Sequence, residues 1–136
     1  MGAWDMDAFG NDDACDWGYQ LEKVKDLSLI EITLNKVIQA GDKYLESPNA
    51  CEALAAAEVL ARLQGNWGER NAYTEAVDNW VEETKLTPTP DLAKKAHQAI
   101  ERILAKDSEL QELWQDSENY DAWLASVRDL KSRIRA

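Results

Sequence analysis

Apolar residues recur along most of this chain at the three- and four-residue spacing of an α-helix. No stretch alternates apolar and polar residues for long enough to indicate a strand. A first helix is expected after Asn11, whose side chain caps it, with acidic residues in the first turn where the helix dipole favours them. A second helix is expected to begin at a Ser28–Glu31 capping box and to continue, with a bend near Gly41, to Leu45.

The third helix, residues 49–64, is apolar around most of its circumference, so we expect it in the middle of a bundle. Its many alanines let neighbouring helices approach closely. Gly65 is expected to end it as a C-terminal glycine. A fourth helix is predicted to bury one stripe of side chains: Tyr73, Ala76, Val77, Trp80 and Val81.

The remaining helices follow a proline-containing segment, LTPTPD. Thr89 and Pro90 supply the N-cap and first position of a fifth helix, so this segment is interpreted as a long turn rather than a linker between domains. A Ser108–Gln111 capping box begins the sixth helix, and Asn119 opens the last. The fifth helix is predicted to bury Leu92, Ala96, Ala99, Ile100 and Ile103.

These elements predict an all-α fold: a compact bundle of six or seven helices with an irregular N-terminal arm. A chain of 136 residues has the length of one domain. We therefore expect residues 1–136 to form a single helical domain, with residues 1–10 as an arm packed on the bundle. The two cysteines have no metal-site spacing, and neither a signal peptide nor a membrane-length apolar run is present. The expectation is a cytoplasmic protein with no membrane partner.

Charge adds a hypothesis about partners. The formal net charge is -11, and residues 1–22 hold six acidic residues and no base, whereas residues 128–136 hold four bases and one acid. A field of that sign repels phosphate backbones and attracts basic surfaces, so nucleic acid is excluded and a basic protein is favoured as partner. The alternative is a solvated acidic surface that only keeps the protein soluble.

The acidic opening also partly matches a calcium-binding loop. Positions 1, 3, 6, 9 and 12 of that pattern fall on Asp5, Asp7, Gly10, Asp13 and Asp16. The match fails at position 5, which is Phe9, and at position 12, where aspartate is too short for bidentate binding. We therefore predict no metal and no cofactor. The competing hypothesis is a carboxylate or metal-dependent enzyme whose ligands are Asp5, Asp7, Asp12, Asp13 and Asp16.

Other catalytic chemistry finds no support in the sequence. His97 is the only histidine, neither cysteine has a base beside it, and no glycine-rich phosphate loop occurs. We predict no catalytic residue and no enzyme activity. Trp67 stands apart from the other tryptophans because it lies in a glycine-flanked loop. Two interpretations stay open for it: an exposed interface anchor, or a ring that plugs the end of the bundle.

Two stretches of the chain resemble an uncharacterised bacterial family, domain of unknown function 4259. The first is the opening GAWDMDAFGNDDACDW, and the second is DSELQELW with the later Trp123. The middle helix AAAEVLARLQG also resembles that family. The chain departs from the family's opening motif at Asp5 and Asp7, where glycines are usual. The matching positions are Gly2, Trp4, Phe9, Asn11, Asp12, Ala14, Asp16 and Trp17. The resemblance implies no activity.

The opening motif therefore receives a structural interpretation and a functional one. In the structural interpretation, ring side chains anchor the arm and polar ones satisfy backbone donors at the helix start. The structural positions are Phe9, Asn11, Asp12, Asp16 and Trp17. The candidate partner-binding positions are Trp4, Asp5, Asp7, Asp13 and Trp67.

These observations favour a small acidic helical protein-binding module, of which an immunity-type inhibitor of a basic partner is one form. A self-associating structural protein is the remaining alternative, and the sequence leaves the oligomeric state open.

Overall fold

The computed structural model describes residues 8–135, which form seven α-helices and no β-strand. The all-α prediction is therefore confirmed over this part of the chain, and no helix in it has the length and apolar character needed to cross a bilayer. The helices are α1 (Asp12–Leu21), α2 (Ser28–Ile38), α3 (Ser47–Leu63), α4 (Glu75–Thr84), α5 (Pro90–Ile103), α6 (Glu109–Gln115) and α7 (Tyr120–Arg133).

Helix α3 is the centre of the bundle, as its composition predicts. It packs against each of the other six helices, and twelve of its seventeen residues are buried. The alanine side chains from Ala53 to Ala61 are almost completely shielded from solvent, which allows six neighbours to approach one helix axis. Two charged residues, Glu58 and Arg62, are buried in the same helix.

Three predicted helix ends are confirmed by their hydrogen bonds. The Asn11 side chain accepts a bond from the backbone N–H of Ala14 at 2.8 Å, and Thr89 accepts one from Leu92 at 3.1 Å. Gly65 ends α3 with φ +87°, and the backbone N–H groups after the helix donate back to its last carbonyls. This is the pattern of a Schellman motif, which favours glycine at the left-handed position.

Neither predicted capping box forms, although Ser108 is the N-cap residue of α6. The backbone N–H and hydroxyl of Ser28 both donate to the Asp26 carboxylate, two residues earlier, in place of a box with Glu31. The Ser108 hydroxyl is buried and has no hydrogen-bond partner among the described residues. Gln111 instead donates to the carbonyl of Ala105.

Two predicted element boundaries are also wrong. Helix α2 ends at Ile38 rather than continuing to Leu45, because Gly41 takes φ +55° in a turn and the Leu45 backbone pairs elsewhere. Tyr73, predicted to be buried on α4, is 54 % exposed. It lies in the turn before α4, which begins only at Glu75, so Tyr73 is not held on the inward face of that helix.

The loop between α2 and α3 is hydrogen-bonded to the loop between α5 and α6. The Leu45 N–H donates to the Asp107 carbonyl at 2.8 Å, and the Glu109 N–H donates to the Leu45 carbonyl at 2.9 Å. The Arg102 guanidinium lies beside this bridge. It donates to four carbonyl oxygens, two from each connection: those of Gly41, Lys43, Lys106 and Asp107.

We expect Arg102→Met to lower the free energy of unfolding by about 2 kcal/mol, because four carbonyl oxygens lose a charged donor. Arg102→Lys is the matched control. An ammonium keeps the positive charge but lacks the planar fork of the guanidinium, so it cannot donate to all four oxygens. Its stability should lie between those of the other two proteins in urea unfolding. An Arg102→Met variant as stable as the wild type would show that water replaces the guanidinium at no cost.

Candidate functional site

A network of charged side chains is buried where α3 meets α4. Arg62 of α3 donates from Nε to Glu58 Oε2 at 2.9 Å and from Nη1 to the Asp78 carboxylate of α4. Its Nη2 donates to the Glu69 carbonyl at 2.7 Å. The three charged side chains are between 2 % and 7 % exposed. Isolated charges at such depth are strongly unfavourable, so each depends on the others.

The network continues to α7 and to the loop before α4. Arg133 of α7 pairs with both oxygens of Glu58, at 2.9 and 2.8 Å, and with Asp129 at 2.9 Å. The hydrogen bonds to Glu58 raise the pKa of Arg133 above its ordinary value. The Thr74 hydroxyl donates to Asp78 at 2.6 Å. Helices α3, α4 and α7 are therefore held together by opposite charges whose hydrogen-bonding capacity is largely satisfied.

The loop containing GNWGER covers this network. The Trp67 ring is half-buried, and the guanidinium carbons of Arg62 and Arg70 lie 5.5 and 4.5 Å from its centre. A Cβ atom at Gly68 would lie 3.0 Å from Glu58 Oε2 and 3.2 Å from Arg133 Nη1, so only glycine fits without displacing this pair. Trp67 is thus engaged within the chain, and its role as a partner anchor stays a prediction.

A cavity of about 250 Å³ lies beside the network. Its charged side chains are Arg62 and Arg133 together with Glu58, Glu69 and Asp129, and both guanidinium groups are already paired with carboxylates. Its apolar side includes Trp114 and Trp123, whose rings stack with centres 6.0 Å apart. Because both guanidinium groups are engaged in these pairs, the described lining offers no unpaired cation to an anionic ligand.

A second group of charged side chains, around Cys51 at the start of α3, is mainly acidic. Burial raises the pKa of the Cys51 thiol to about 12, and the negative charges of Asp13, Glu52 and Glu109 add to the rise. The pKa of Glu52 is also raised, by burial and by Asp13, against the opposing effect of Lys36. Carboxylates from α1, α3 and α6 therefore all act on the Cys51 thiol.

Tyr44 extends this charged region. The side chain is 51 % exposed, and its hydroxyl donates to Glu112 Oε1 at 3.0 Å. Partial desolvation raises the pKa of Tyr44, and the carboxylates of Glu112, Glu109 and Asp107 raise it further. We define the acidic face as the carboxylates at this end of α3: Asp13, Glu52, Asp107, Glu109 and Glu112.

Sequence reasoning missed most of the acidic face. It noted the acids of residues 1–22 but not those of residues 107–127, which hold six acids and no base. That second run is readable in the sequence. What the sequence does not show is that tertiary packing brings this second run close to the acids of α1. The Glu109 carboxylate accepts a hydrogen bond from the Ser47 N–H at 2.7 Å, which holds α6 at the start of α3.

The sequence-predicted site residues are placed as follows. Trp4, Asp5 and Asp7 lie outside the described residues. Phe9 and Trp17 are buried in the core, and the Trp17 indole donates to the Thr33 hydroxyl at 2.8 Å. Asn11 caps α1.

The aspartates of α1 lie on different sides of the helix. Asp13 belongs to the acidic face, whereas Asp12 and Asp16 are exposed beside Cys15. Burial is the main cause that raises the pKa of the Cys15 thiol, and the charges of Asp12 and Asp16 raise it further. Residues 8–135 contain no group of three histidine, cysteine, aspartate or glutamate side chains placed to hold a metal ion.

Comparison with known proteins identifies a family but no relative of established activity. A family model described as Domain of unknown function (DUF4259) matches residues 2–126. Neither the curated proteins nor the solved structures contain a match to the chain.

We expect Arg62→Met to lower the free energy of unfolding by about 3–5 kcal/mol, because Glu58 and Asp78 both lose a buried guanidinium partner. The double variant Arg62→Met with Asp78→Asn is the control, since it neutralises one stranded carboxylate. Chemical unfolding should find it more stable than the single variant. Equal stabilities would indicate that the pairing of Arg62 with Asp78 does not stabilise the fold.

The pH dependence of stability should report Glu58. Burial raises the pKa of Glu58, but hydrogen bonds and charges from Arg133 and Arg62 outweigh burial and hold it below 4.5. A lowered pKa contributes stability that is fully present above the ordinary value and is lost as pH falls through the folded pKa. The destabilisation by Glu58→Gln should therefore be largest at neutral pH and shrink below 4.5. A pH-independent difference between the two proteins would contradict this.

Proposed function

The chain belongs to the DUF4259 family, whose name defines no activity, and from its surface we propose that it is a binding module for a basic protein. An inhibitor that masks such a partner, as an immunity protein masks its toxin, is the specific form we favour. The acidic face at the start of α3 is the observation that carries this proposal.

The chemistry of the acidic face suits a basic partner. Four of its five carboxylates belong to helices α1, α3 and α6. These charges are therefore held in place by the packed helices. Tyr44 supplies an exposed aromatic ring among them. Interfaces commonly combine a ring that buries apolar area with surrounding charges that steer the partner and set specificity.

The carboxylates of the acidic face include groups that repel one another. The raised pKa values of Cys51 and Glu52 both include repulsion from neighbouring carboxylates. Of the five carboxylates, Glu109 caps α3 through Ser47. Lys36 attracts Glu52 and the dipole of α1 favours Asp13, but the repulsion between these two carboxylates remains, and a basic partner would offset it.

A photo-crosslinking experiment in cells of the native host tests the proposal. Tyr44 is replaced by benzoylphenylalanine in one variant and Ile32 in the control, since Ile32 is similarly exposed at 53 % on α2. We expect the Tyr44 position to yield an adduct with a protein of basic isoelectric point, absent from the Ile32 position. The purified partner should bind about tenfold more weakly to a triple variant carrying Asp13→Asn, Glu52→Gln and Glu112→Gln.

Several outcomes would overturn the proposal. These are identical adducts from both positions, an adduct only with acidic proteins, or an adduct only with a second copy of the chain. The inhibitor form has its own test. The partner expressed alone should arrest growth, and co-expression of the wild-type chain, but not of the triple variant, should restore it.

A further inference from the structure

A second surface, separate from the acidic face, lies between α1 and the start of α4. It is a groove of about 260 Å³. Gly18 lets the two helices approach closely, because a Cβ atom there would lie 3.1 Å from Val77 Cγ1. The groove is smaller than the roughly 300–1,000 Å³ of pockets for drug-sized ligands, which fits a single side chain better than a cofactor.

The walls of this groove combine aromatic rings with carboxylates. Tyr19 lies on α1 and Glu22 directly follows it, whereas Tyr73 lies in the turn before α4 and Glu75 is the first residue of α4. Both tyrosines are more than half exposed. The described lining includes no lysine, arginine or histidine, and the sequence before Lys23 contains no base. An exposed ring such as that of Tyr19 beside carboxylates has the chemistry that a planar cation requires.

Arginine fits this lining better than lysine does. A guanidinium can stack on a tyrosine face and donate in a fork to a carboxylate at the same time, whereas an ammonium is a strongly hydrated point charge. The chain uses the same chemistry internally, where the Arg70 guanidinium lies over the Trp67 ring and also pairs with Glu82.

We propose that the α1–α4 groove receives an arginine side chain projecting from the basic partner, an inference that rests on the proposed function. Tyr19 supplies a stacking surface, and Glu22 and Glu75 accept hydrogen bonds from the guanidinium. The negative charge around the groove extends along α1, where Asp12 and Asp16 are exposed. This extension favours a cationic side chain over a neutral one.

The test is a titration of the full-length ¹⁵N-labelled chain with the capped tripeptide acetyl-Gly-Arg-Gly-amide, followed by NMR. Acetyl-Gly-Gln-Gly-amide is the neutral control peptide. We expect amide shifts confined to residues 15–22 and 72–79, with the glutamine peptide binding at least about fivefold more weakly. The double variant Glu22→Gln with Glu75→Gln should weaken arginine binding about fivefold, and Tyr19→Ser should also weaken it.

Matched controls separate the groove from general surface charge. Glu83→Gln removes an exposed carboxylate from the far end of α4, and Ile32→Ser removes an exposed apolar side chain from α2. Neither should change the affinity. Equal binding of both peptides, shifts outside the groove, no shifts at all, or undiminished binding by the Glu22 and Glu75 double variant would each overturn the proposal.

The outcome of the peptide experiment does not depend on the proposed function, because the experiment uses no partner protein. Arginine binding in the groove without any basic partner in the crosslinking experiment would remove the proposed function and leave the groove as a guanidinium site. A basic partner that binds the Glu22 and Glu75 double variant as tightly as the wild type would remove the groove from the interface and leave the proposed function.

Discussion

The fold depends on one buried cation. Arg62 lies inside α3, the helix against which the six others pack, and its guanidinium is held between Glu58 and Asp78. Burying three charges is favourable only in the geometry that pairs them all, so the network restricts how α3, α4 and α7 can be arranged. The loop that follows α3 is ordered by the same group, through the Glu69 carbonyl and the Trp67 ring.

The helices could be predicted from the sequence because their signals are local. Apolar spacing, the caps at Asn11 and Thr89, and the glycine at position 65 all act within a few residues. The buried network has no local signal. Glu58 and Arg62 are among the few polar residues of α3 and therefore suggest a solvent-facing stripe. Their partners lie far along the chain: Asp78 is 16 positions after Arg62, and Arg133 is 75 positions after Glu58.

The acidic face was predictable only in part, for a related reason. Composition reveals the acids near the start of the chain, and Asp13 is one of them. Glu109 and Glu112 come from a second acidic run about a hundred residues later, and only tertiary packing brings the two runs together. The capping boxes failed differently: the sequence contains the correct residue types, but Asp26 takes the hydrogen bonds of Ser28, and the Ser108 hydroxyl is buried without a partner among the described residues.

The distance along the chain between Glu58 and Arg133 bears on the order of assembly during synthesis. When α3 leaves the ribosome, the Glu58 carboxylate already has Arg62 beside it on the same helix, but the second guanidinium is still untranslated. The α3 surface that α7 will cover must therefore remain hydrated while the nascent chain grows. Closure of the bundle around that carboxylate therefore follows the synthesis of α7.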